Sequence, residues 1–433
     1  MKPRDVFIVD GSRSPFLKAR GKQGPFSASD LAVACGKPLM LRQNFALDDI
    51  DEVIVGSVMP DANEANIARI IALRLGLGEH IPAWTVQRNC ASGLQALDCA
   101  FKNIRSGQSQ LILAGGVDTM SRAPVLLNGL MVNWMGRMMA ARRLPQKLQA
   151  VAQLRPAFFK PVIALLCGLS DPLYGLSMGQ TTENVAYRFG ISREQMDQYS
   201  VASHQRLMDA QDNGRLDEIE AIYDGKGKYY DFDDGLRRDS SMENLAKLKP
   251  YFDRKYGKVT PANSAQITDG AALLILASGD MVKKLDLPVL AKISDSQWAG
   301  VNPKEMGLGP AHAMQPLLTR NKLAIDDIDY WEVNEAFAGQ VLGCVEAWKS
   351  DDYCREFLGL KAALGEIPHD KLNVDGGGVS LGHPVGASGA RIILHLAKTL
   401  QRNQAKRGIA SLCIGGGQGG AMMIESANVT EAK

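Results

Sequence analysis

The feature that most constrains the fold is an internal repeat. Asp48-Asp49-Ile50-Asp51 opens the strand-like run Glu52 to Val55, and Asp326-Asp327-Ile328-Asp329 opens another at Tyr330 to Val333. Further on, Ala91-Ser92-Gly93 starts a helix-like stretch that leads to Leu111-Ile112-Leu113-Ala114-Gly115-Gly116. Its echo is Ala387-Ser388-Gly389, a helix-like Ile392 to Leu400, then Leu412-Cys413-Ile414-Gly415-Gly416. The copies keep one order and their separation grows slowly, as small insertions would make it. Each alternates short β-branched runs with helical periods, the pattern of layered α/β packing with mostly buried strands. The expected architecture is a duplicated α/β fold with layered helices and mixed sheets. Its halves span about 1–122 and 275–433, and residues 123–274 form an inserted loop domain of different character. Two such halves would pack around a pseudo-twofold axis, so the helix-starting loops of both would converge.

At 433 residues the chain has room for more than one core. Hydrophobic content of 45% with 22% charged residues describes an ordinary globular protein. The formal net charge of +2 gives no reason to expect nucleic acid, and no such partner is expected. Seven cysteines, an odd number with no CxxC pair, point to a reducing compartment with thiols free for chemistry. Met1-Lys2-Pro3-Arg4-Asp5 runs straight into a strand-like Val6 to Val9, with no apolar leader. No uncharged apolar run reaches the ~18 residues of a membrane span. A cytoplasmic protein is the expectation.

Three loops carry the chemistry. Asn89-Cys90-Ala91-Ser92-Gly93 makes a tight turn from a strand into a helix. A thiol there meets unpaired N–H groups and the positive end of the helix dipole, which predicts a lowered pKa. The plain alternative for Cys90 is a small buried hydrophobe, the reading given to Cys35, Cys99, Cys167, Cys344 and Cys354. In the second loop, Asn373 to Gly389, His383 sits among glycines at a helix entrance, where an imidazole can polarise a thiol or an oxyanion. The third, Ser411 to Gly420, ends a strand in Cys413 and continues into N–H groups unshielded by side chains, suited to a developing oxyanion. A dinucleotide site is excluded, because the glycines do not fit GxGxxG and too little chain follows for a ribose-binding acid. Asn334, after a strand in Trp331 to Ala338, offers an amide that could hold a water; an Asn-Glu pair there is also a plain helix cap.

Asn89-Cys90-Ala91-Ser92-Gly93, Asn334-Glu335-Ala336-Phe337, Gly382-His383-Pro384 and Cys413-Ile414-Gly415-Gly416-Gly417 together resemble the thiolase family, over essentially the whole chain. Ala114-Gly115-Gly116, Met120-Ser121 and Lys247 through Thr260 look similar too. The resemblance implies thiolytic cleavage of a 3-ketoacyl-coenzyme A in fatty-acid β-oxidation. Cys90 would be the nucleophile and His383 its activator, with a water on Asn334 helping hold the enolate oxygen. Cys413 would be the acid and base, and the N–H groups of Cys90 and Gly415 the oxyanion hole. Coenzyme A would be a substrate, with no further cofactor or metal. Contacts to it are implied at Met178, Ser264 and, at the nucleotide end, Arg237. Two departures stand out. Leu176-Ser177-Met178 replaces a Tyr-His-Met of many short-chain members, and Asn263-Ser264-Ala265-Gln266 replaces an Asn-Ala-Ser-Gly coenzyme loop. The rivals are a biosynthetic acetoacetyl-CoA thiolase and a non-catalytic acyl-CoA-binding scaffold.

From Thr119 to Ser170 there is no acidic residue, while Arg122, Arg137, Arg142, Arg143, Lys147, Arg155 and Lys160 are present. Leu127, Met131, Trp134, Met135 and Met138 recur at helical spacing. Such a basic amphipathic segment suits an anionic lipid or an acidic partner; a core-facing helix with solvated or coenzyme-facing charges is the other reading. The family resemblance extends to thiolase subunits of trifunctional fatty-acid oxidation complexes. It implies a homodimer or dimer of dimers, a hydratase–dehydrogenase partner and peripheral membrane contact through 122–160.

Overall fold

A computed structural model describes residues 3–427. Nine strands build one sheet: β1 Val6–Arg13, β2 Glu52–Gly56, β3 Ala83–Val86, β4 Leu111–Thr119, β5 Thr268–Ser278, β6 Ala291–Gly300, β7 Tyr330–Val333, β8 Arg407–Ile414 and β9 Gln418–Ser426. Their lateral order is β7-β8-β9-β6-β1-β5-β4-β2-β3, with the two-residue strand Leu17–Lys18 on the end of β5.

The order repeats outward on either side of the β6–β1 pair, with β3 an additional strand at the rim of the first half. β2 and β4 run parallel, as do β7 and β8. β4 and β5 are antiparallel, as are β8 and β9. β1 closes the first set on β5, and β6 closes the second on β9. β1 and β6 then pair antiparallel across the axis, Val6 opposite Ile293. Even the irregularities are copied: the register slips between Ile8 and Asp10 in one half and between Ile293 and Asp295 in the other. A slip of this kind bends and twists a strand, so its repetition curves both halves alike. The duplication is real.

The helices used below are α1 Ser92–Ser106, α2 Gly129–Ala140, α3 Leu144–Ala152, α4 Met178–Arg188, α5 Arg193–Asp212, α6 Ala338–Lys349 and α7 Ser388–Arg402. α1 and α7 are the two equivalent helices and pack against each other beneath the centre of the sheet. Leu94, Leu97, Phe101 and Ile104 recur every three or four residues on α1, and Ile392, Ile393, Leu396 and Leu400 do so on α7. They share one core with Ile8, Leu274 and Ile424. Burying the four α7 aliphatics alone contributes on the order of 6–12 kcal/mol, an upper bound against an extended chain. Each half keeps its own second core on the other face.

β5 pairs with β1 and β4, so residues 268–278 belong structurally to the first half. The sequence-derived boundary at 274/275 falls inside this strand. A second tie between parts is ionic. Buried Arg13 of β1 grips Asp233 at 2.7 and 2.8 Å and reaches Glu218 at 3.2 Å. His395 of α7 lies 3.1 Å from Glu218 and 3.2 Å from Asp375. Although burial alone would lower it, these carboxylates push its pKa up to about 10.

In the insertion, α2 and α3 form a hairpin, with Trp134 Nε1 donating to the Ala150 carbonyl at 2.8 Å. The expected single apolar stripe divides. Met131 is buried and Trp134 and Met138 are partly so, while Leu127 and Met135 face outward with Leu130, Met139, Leu144 and Leu148. A two-helix hairpin buries only one narrow seam, so the remaining apolar side chains have nothing to pack on. Among the described residues, no helix is long and apolar enough to cross a membrane.

Candidate active site

The converging loops are held by backbone contact. Gly93 opens α1 directly against the entrance of α7: a methyl group on its Cα would lie 2.7 Å from the Gly386 carbonyl oxygen and 2.9 Å from the Ala390 nitrogen. Gly389 meets Leu94 in the same way from the other side. Only hydrogen fits at these crossings. The two helix entrances, and the loops before them, are thereby pressed together.

In the first loop Asn89 adopts φ +44°, and Ser92 closes the turn by donating to the Asn89 carbonyl at 2.7 Å. Asn89 Nδ2 then donates to the Gly415 carbonyl at 2.8 Å, joining the cysteine loop to the glycine turn of the second half. The backbone N–H groups of Gly415 and of Cys90 itself act to lower the pKa of the partly exposed Cys90 thiol. Burial nevertheless pushes its pKa up, and Asp118 adds to the rise, so the lowered value expected from the helix start is not found. The resting Cys90 is a thiol.

His383 stands in the loop that enters α7. Its Nδ1 lies 2.6 Å from Ser388 Oγ, and the Ser388 hydroxyl donates onward to the Pro384 carbonyl at 3.0 Å. A hydroxyl that donates elsewhere must accept here, which assigns the proton to Nδ1 and leaves the lone pair on Nε2. Burial, then the charge of Arg391, lowers the His383 pKa to about 4, so the ring is neutral at neutral pH. Asn334 Nδ2 lies 3.5 Å from each ring nitrogen, and Asn334 Oδ1 is buried without a partner in the structure. Cys413 is fully buried among Met178, Met306, Phe337 and Ala338. Burial, the nearby Cys90 sulfur and Cys344 hold its pKa well above the ordinary thiol value. It is a protonated acid at rest.

Of the expected coenzyme contacts, Met178 is beside these groups: a methyl placed on Gly415 would sit 3.5 Å from its sulfur. Ser177, in the place of the histidine of Tyr-His-Met, caps α4 by accepting the Gln180 N–H at 3.3 Å. Ser264 bridges to Phe337 but turns its hydroxyl onto the Thr260 carbonyl at 2.7 Å. Arg237 lies apart from the sulfurs, exposed on the insertion, its N–H on His204 Nδ1 at 3.2 Å. Lys18 is close by; burial lowers its pKa first, and Arg237 and Arg20 lower it further.

Two residues were missed. Glu335, offered with Asn334 as a helix cap, caps nothing: α6 begins at Ala338 without a side-chain cap. It accepts instead from Tyr199 (2.9 Å), Asn373 (2.9 Å), Ser203 (2.7 Å) and the Val379 N–H (3.2 Å), anchoring the loop that leads to His383. Asp118, fully buried, accepts from the Val58 and Met59 N–H groups, the Ser57 hydroxyl and the Gly386 N–H at 2.7 Å. It ties first-half loops to the histidine loop, and burial raises its pKa to about 6. Four donors around one buried carboxylate need tertiary structure to be seen. Among the described residues, no group of three or more His, Cys, Asp or Glu side chains is placed to hold a metal ion.

Two thiols, a neutral imidazole, the N–H before α1 and that of the Gly415 turn suit an enzyme that passes acyl groups through sulfur. The chain matches the thiolase N-terminal domain over residues 6–280 and the thiolase C-terminal domain over 287–426; it belongs to the thiolase family, and is an acyltransferase. The beta subunit of the mitochondrial trifunctional enzyme of Bos taurus is 34% identical over 424 residues, 98% of this chain and 88% of that one. A 3-ketoacyl-CoA thiolase of Yersinia pestis (strain Pestoides F) is 34% identical over 423 residues, 97% of this chain and 96% of that one. Among solved structures, human mitochondrial 3-ketoacyl-CoA thiolase in complex with CoA superposes with a TM-score of 0.83 at 33% identity, covering 98% of each chain. Bacillus anthracis acetyl-CoA acetyltransferase gives 0.83 at 34%, covering 98% of this chain and 99% of that one.

Proposed function

We propose that the chain is a degradative 3-ketoacyl-CoA thiolase, cleaving its substrate with coenzyme A to acetyl-CoA and a shortened acyl-CoA. His383 Nε2 takes the Cys90 proton and the sulfur attacks the 3-keto carbon. The C2–C3 bond breaks, its electrons passing to an enolate held by His383 and by a water on Asn334 Oδ1. The Cys413 thiol protonates C2 and acetyl-CoA leaves, with the acyl group on Cys90. Coenzyme A then gives its thiol proton to the Cys413 thiolate and attacks the acyl carbon, whose oxyanion the Cys90 and Gly415 N–H groups receive; the intermediate collapses, its bond to Cys90 breaks, and the Cys90 sulfur takes its proton back from His383. One observation carries this reading: burial keeps Cys413 protonated beside a second sulfur whose proton has a neutral imidazole to go to.

The likeness to trifunctional-enzyme beta subunits and 3-ketoacyl-CoA thiolases supports the degradative direction, and acetyl-CoA acetyltransferase structures of equal similarity keep a biosynthetic thiolase as the alternative. Thiolysis rates across short- to long-chain 3-ketoacyl-CoA substrates separate the two; a preference confined to acetoacetyl-CoA would overturn the first. With Cys90→Ala, the covalent acyl-enzyme seen by mass spectrometry after mixing with substrate should vanish.

The association behaviour is part of the same proposal. β3 lies at the rim of the sheet and all four of its residues are half-buried, which supports a homodimer, alone or doubled. The outward Leu130, Met139, Leu144 and Leu148 stand beside Arg137, Arg142, Arg143 and Lys147, a combination suited to anionic lipid. A hydratase–dehydrogenase partner follows from the beta-subunit likeness. Reversing Arg142, Arg143 and Lys147 to Glu should abolish co-sedimentation with anionic vesicles; unchanged binding would remove the lipid component. A cytoplasmic setting accompanies this reading.

A further inference from the structure

Arg391 is a buried cation with no part in the steps proposed above. It stands on α7 and Glu332 on β7, each 2% exposed, and Arg391 Nη1 donates to Glu332 Oε2 at 3.2 Å. That contact is at the long end of the hydrogen-bond range, and Arg391 Nε is buried with no partner in the structure. A guanidinium so loosely matched is costly in a packed interior, so its place invites a reason. Arg391 follows Ser388 by three residues, which sets both side chains on one face of α7, and Ser388 accepts from His383 Nδ1. Glu332 precedes Asn334 by two residues, which sets both on one face of the strand, and Asn334 Nδ2 lies 3.5 Å from each ring nitrogen of His383. The ion pair therefore ties the helix turn that orients the imidazole to the strand that delivers the amide facing it.

Charge adds to contact. The other charged groups packed around the histidine loop are Asp118 of the first half, Glu335 beyond β7, Asp375 of the loop itself and His395 further along α7. Asp375 is matched by Arg215 and Arg402. After burial, it is Arg391 that lowers the His383 pKa. A fixed cation in a water-poor interior opposes the imidazolium, and makes its N–H, once formed, a stronger donor to an anion. We infer that Arg391, seated by Glu332, is a positioning residue of this reaction: it holds Ser388 and Asn334 about His383, and its charge strengthens the hydrogen bond from the ring to the enolate. The inference rests on the thiolase reading.

Rapid-quench measurement of acyl-enzyme formation between about pH 4 and 8, with substrate saturation at each pH, tests it. In wild type the rate should fall only as pH approaches about 4, where His383 takes a proton. Arg391→Met should lower the neutral-pH rate about tenfold, leave substrate affinity within about twofold, and bring the acid fall up by about one pH unit. Arg391→Lys keeps the charge and should return the acid fall to its wild-type place. Glu332→Gln loosens the pair but leaves the cation, so it should slow the reaction without moving the fall upward. An upward shift shared by all three variants would mean that the pair acts only by packing, and overturns the inference, as does an unmoved fall in Arg391→Met. If Arg391→Met does not fold, Arg391→Gln, which keeps a donor for Glu332, carries the same expectations. Wild-type enzyme that forms no acyl-Cys90 would sink the thiolase reading; a competent enzyme whose charge-removing variants keep the wild-type pH profile sinks the inference alone.

Discussion

Gly93→Ala asks whether the contact between the two helix entrances sets the catalytic geometry. The added methyl would sit 2.7 Å from the Gly386 oxygen, 2.9 Å from the Ala390 nitrogen and 3.3 Å from the Ala390 methyl, where ordinary contact begins near 3.4 Å. The nearest two opposing atoms are backbone and cannot rotate away, so the helices must part by about 0.7 Å. Alanine favours a helix over glycine by about 1 kcal/mol, whereas overpacking of this kind costs about 1–3 kcal/mol. The net is a loss of at most about 2 kcal/mol, seen as a fall in Tm of about 2 °C in a protein that still folds. The chemistry should suffer more, because parting the entrances draws the Cys90 loop from the histidine loop. A misplacement approaching 1 Å can cost on the order of 10²-fold in rate. Acyl-enzyme formation followed by rapid quench should slow by about 30- to 100-fold, with calorimetry as the companion measurement. Gly389→Ala approaches the same junction from the other helix and should match it. Gly136→Ala, whose added methyl meets nothing within 4 Å, is the control. Wild-type rates in Gly93→Ala would refute the idea that this contact positions the sulfur.

Further outcomes follow from the same geometry. Ser388→Ala removes the acceptor that holds the proton on His383 Nδ1, and should lower kcat about tenfold with little change in Tm. The pKa of His383 falls from an unfolded value near 6.5 to about 4. The stability tied to its neutral form is therefore complete above pH ~6.5 and lost as pH falls through 4, about 3 kcal/mol in all. Urea unfolding of wild type against His383→Gln, at neutral pH and again below pH ~5, should show this slope in the wild type and its reduction in the variant. Glu335→Gln leaves one oxygen for four donors; stability should fall by about 1–3 kcal/mol, and thiolysis with it, and unchanged turnover would show that the anchor is unnecessary. His395→Leu removes one of the cations facing buried Glu218 and Asp375, which keep Arg13 and the Arg215–Arg402 pair, and should cost about 1–3 kcal/mol in chemical denaturation.

The sequence was legible where chemistry needs local residue types. Cys90, His383 and Cys413 each stand in a short loop whose glycines and small residues announce themselves, and Asp48-Asp49-Ile50-Asp51 with its later copy exposes the duplication. What escaped depends on partners distant along the chain. The apolar run Ala271 to Ala277 reads as well for the start of a second half as for the last strand of a first, and only its pairing with β1 and β4 decides. The Cys90 pKa went astray because a helix start favours the thiolate locally, whereas burial, which the sequence does not quantify, outweighs it. Asp118 and Glu335 look like ordinary acids until four donors from separate segments are seen around each.

The insertion interrupts a hairpin that its twin leaves intact. β8 and β9 are joined by Gly415-Gly416-Gly417, whereas β4 ends at Thr119 and its partner begins only at Thr268. During synthesis the first half must therefore wait with an open, apolar sheet edge while the whole excursion is made, exposed to wrong pairing. A fragment ending before 268 should aggregate, and one carried through 280 regains the β4–β5 pair but still lacks β6 and α7, so it should aggregate less without matching the full chain.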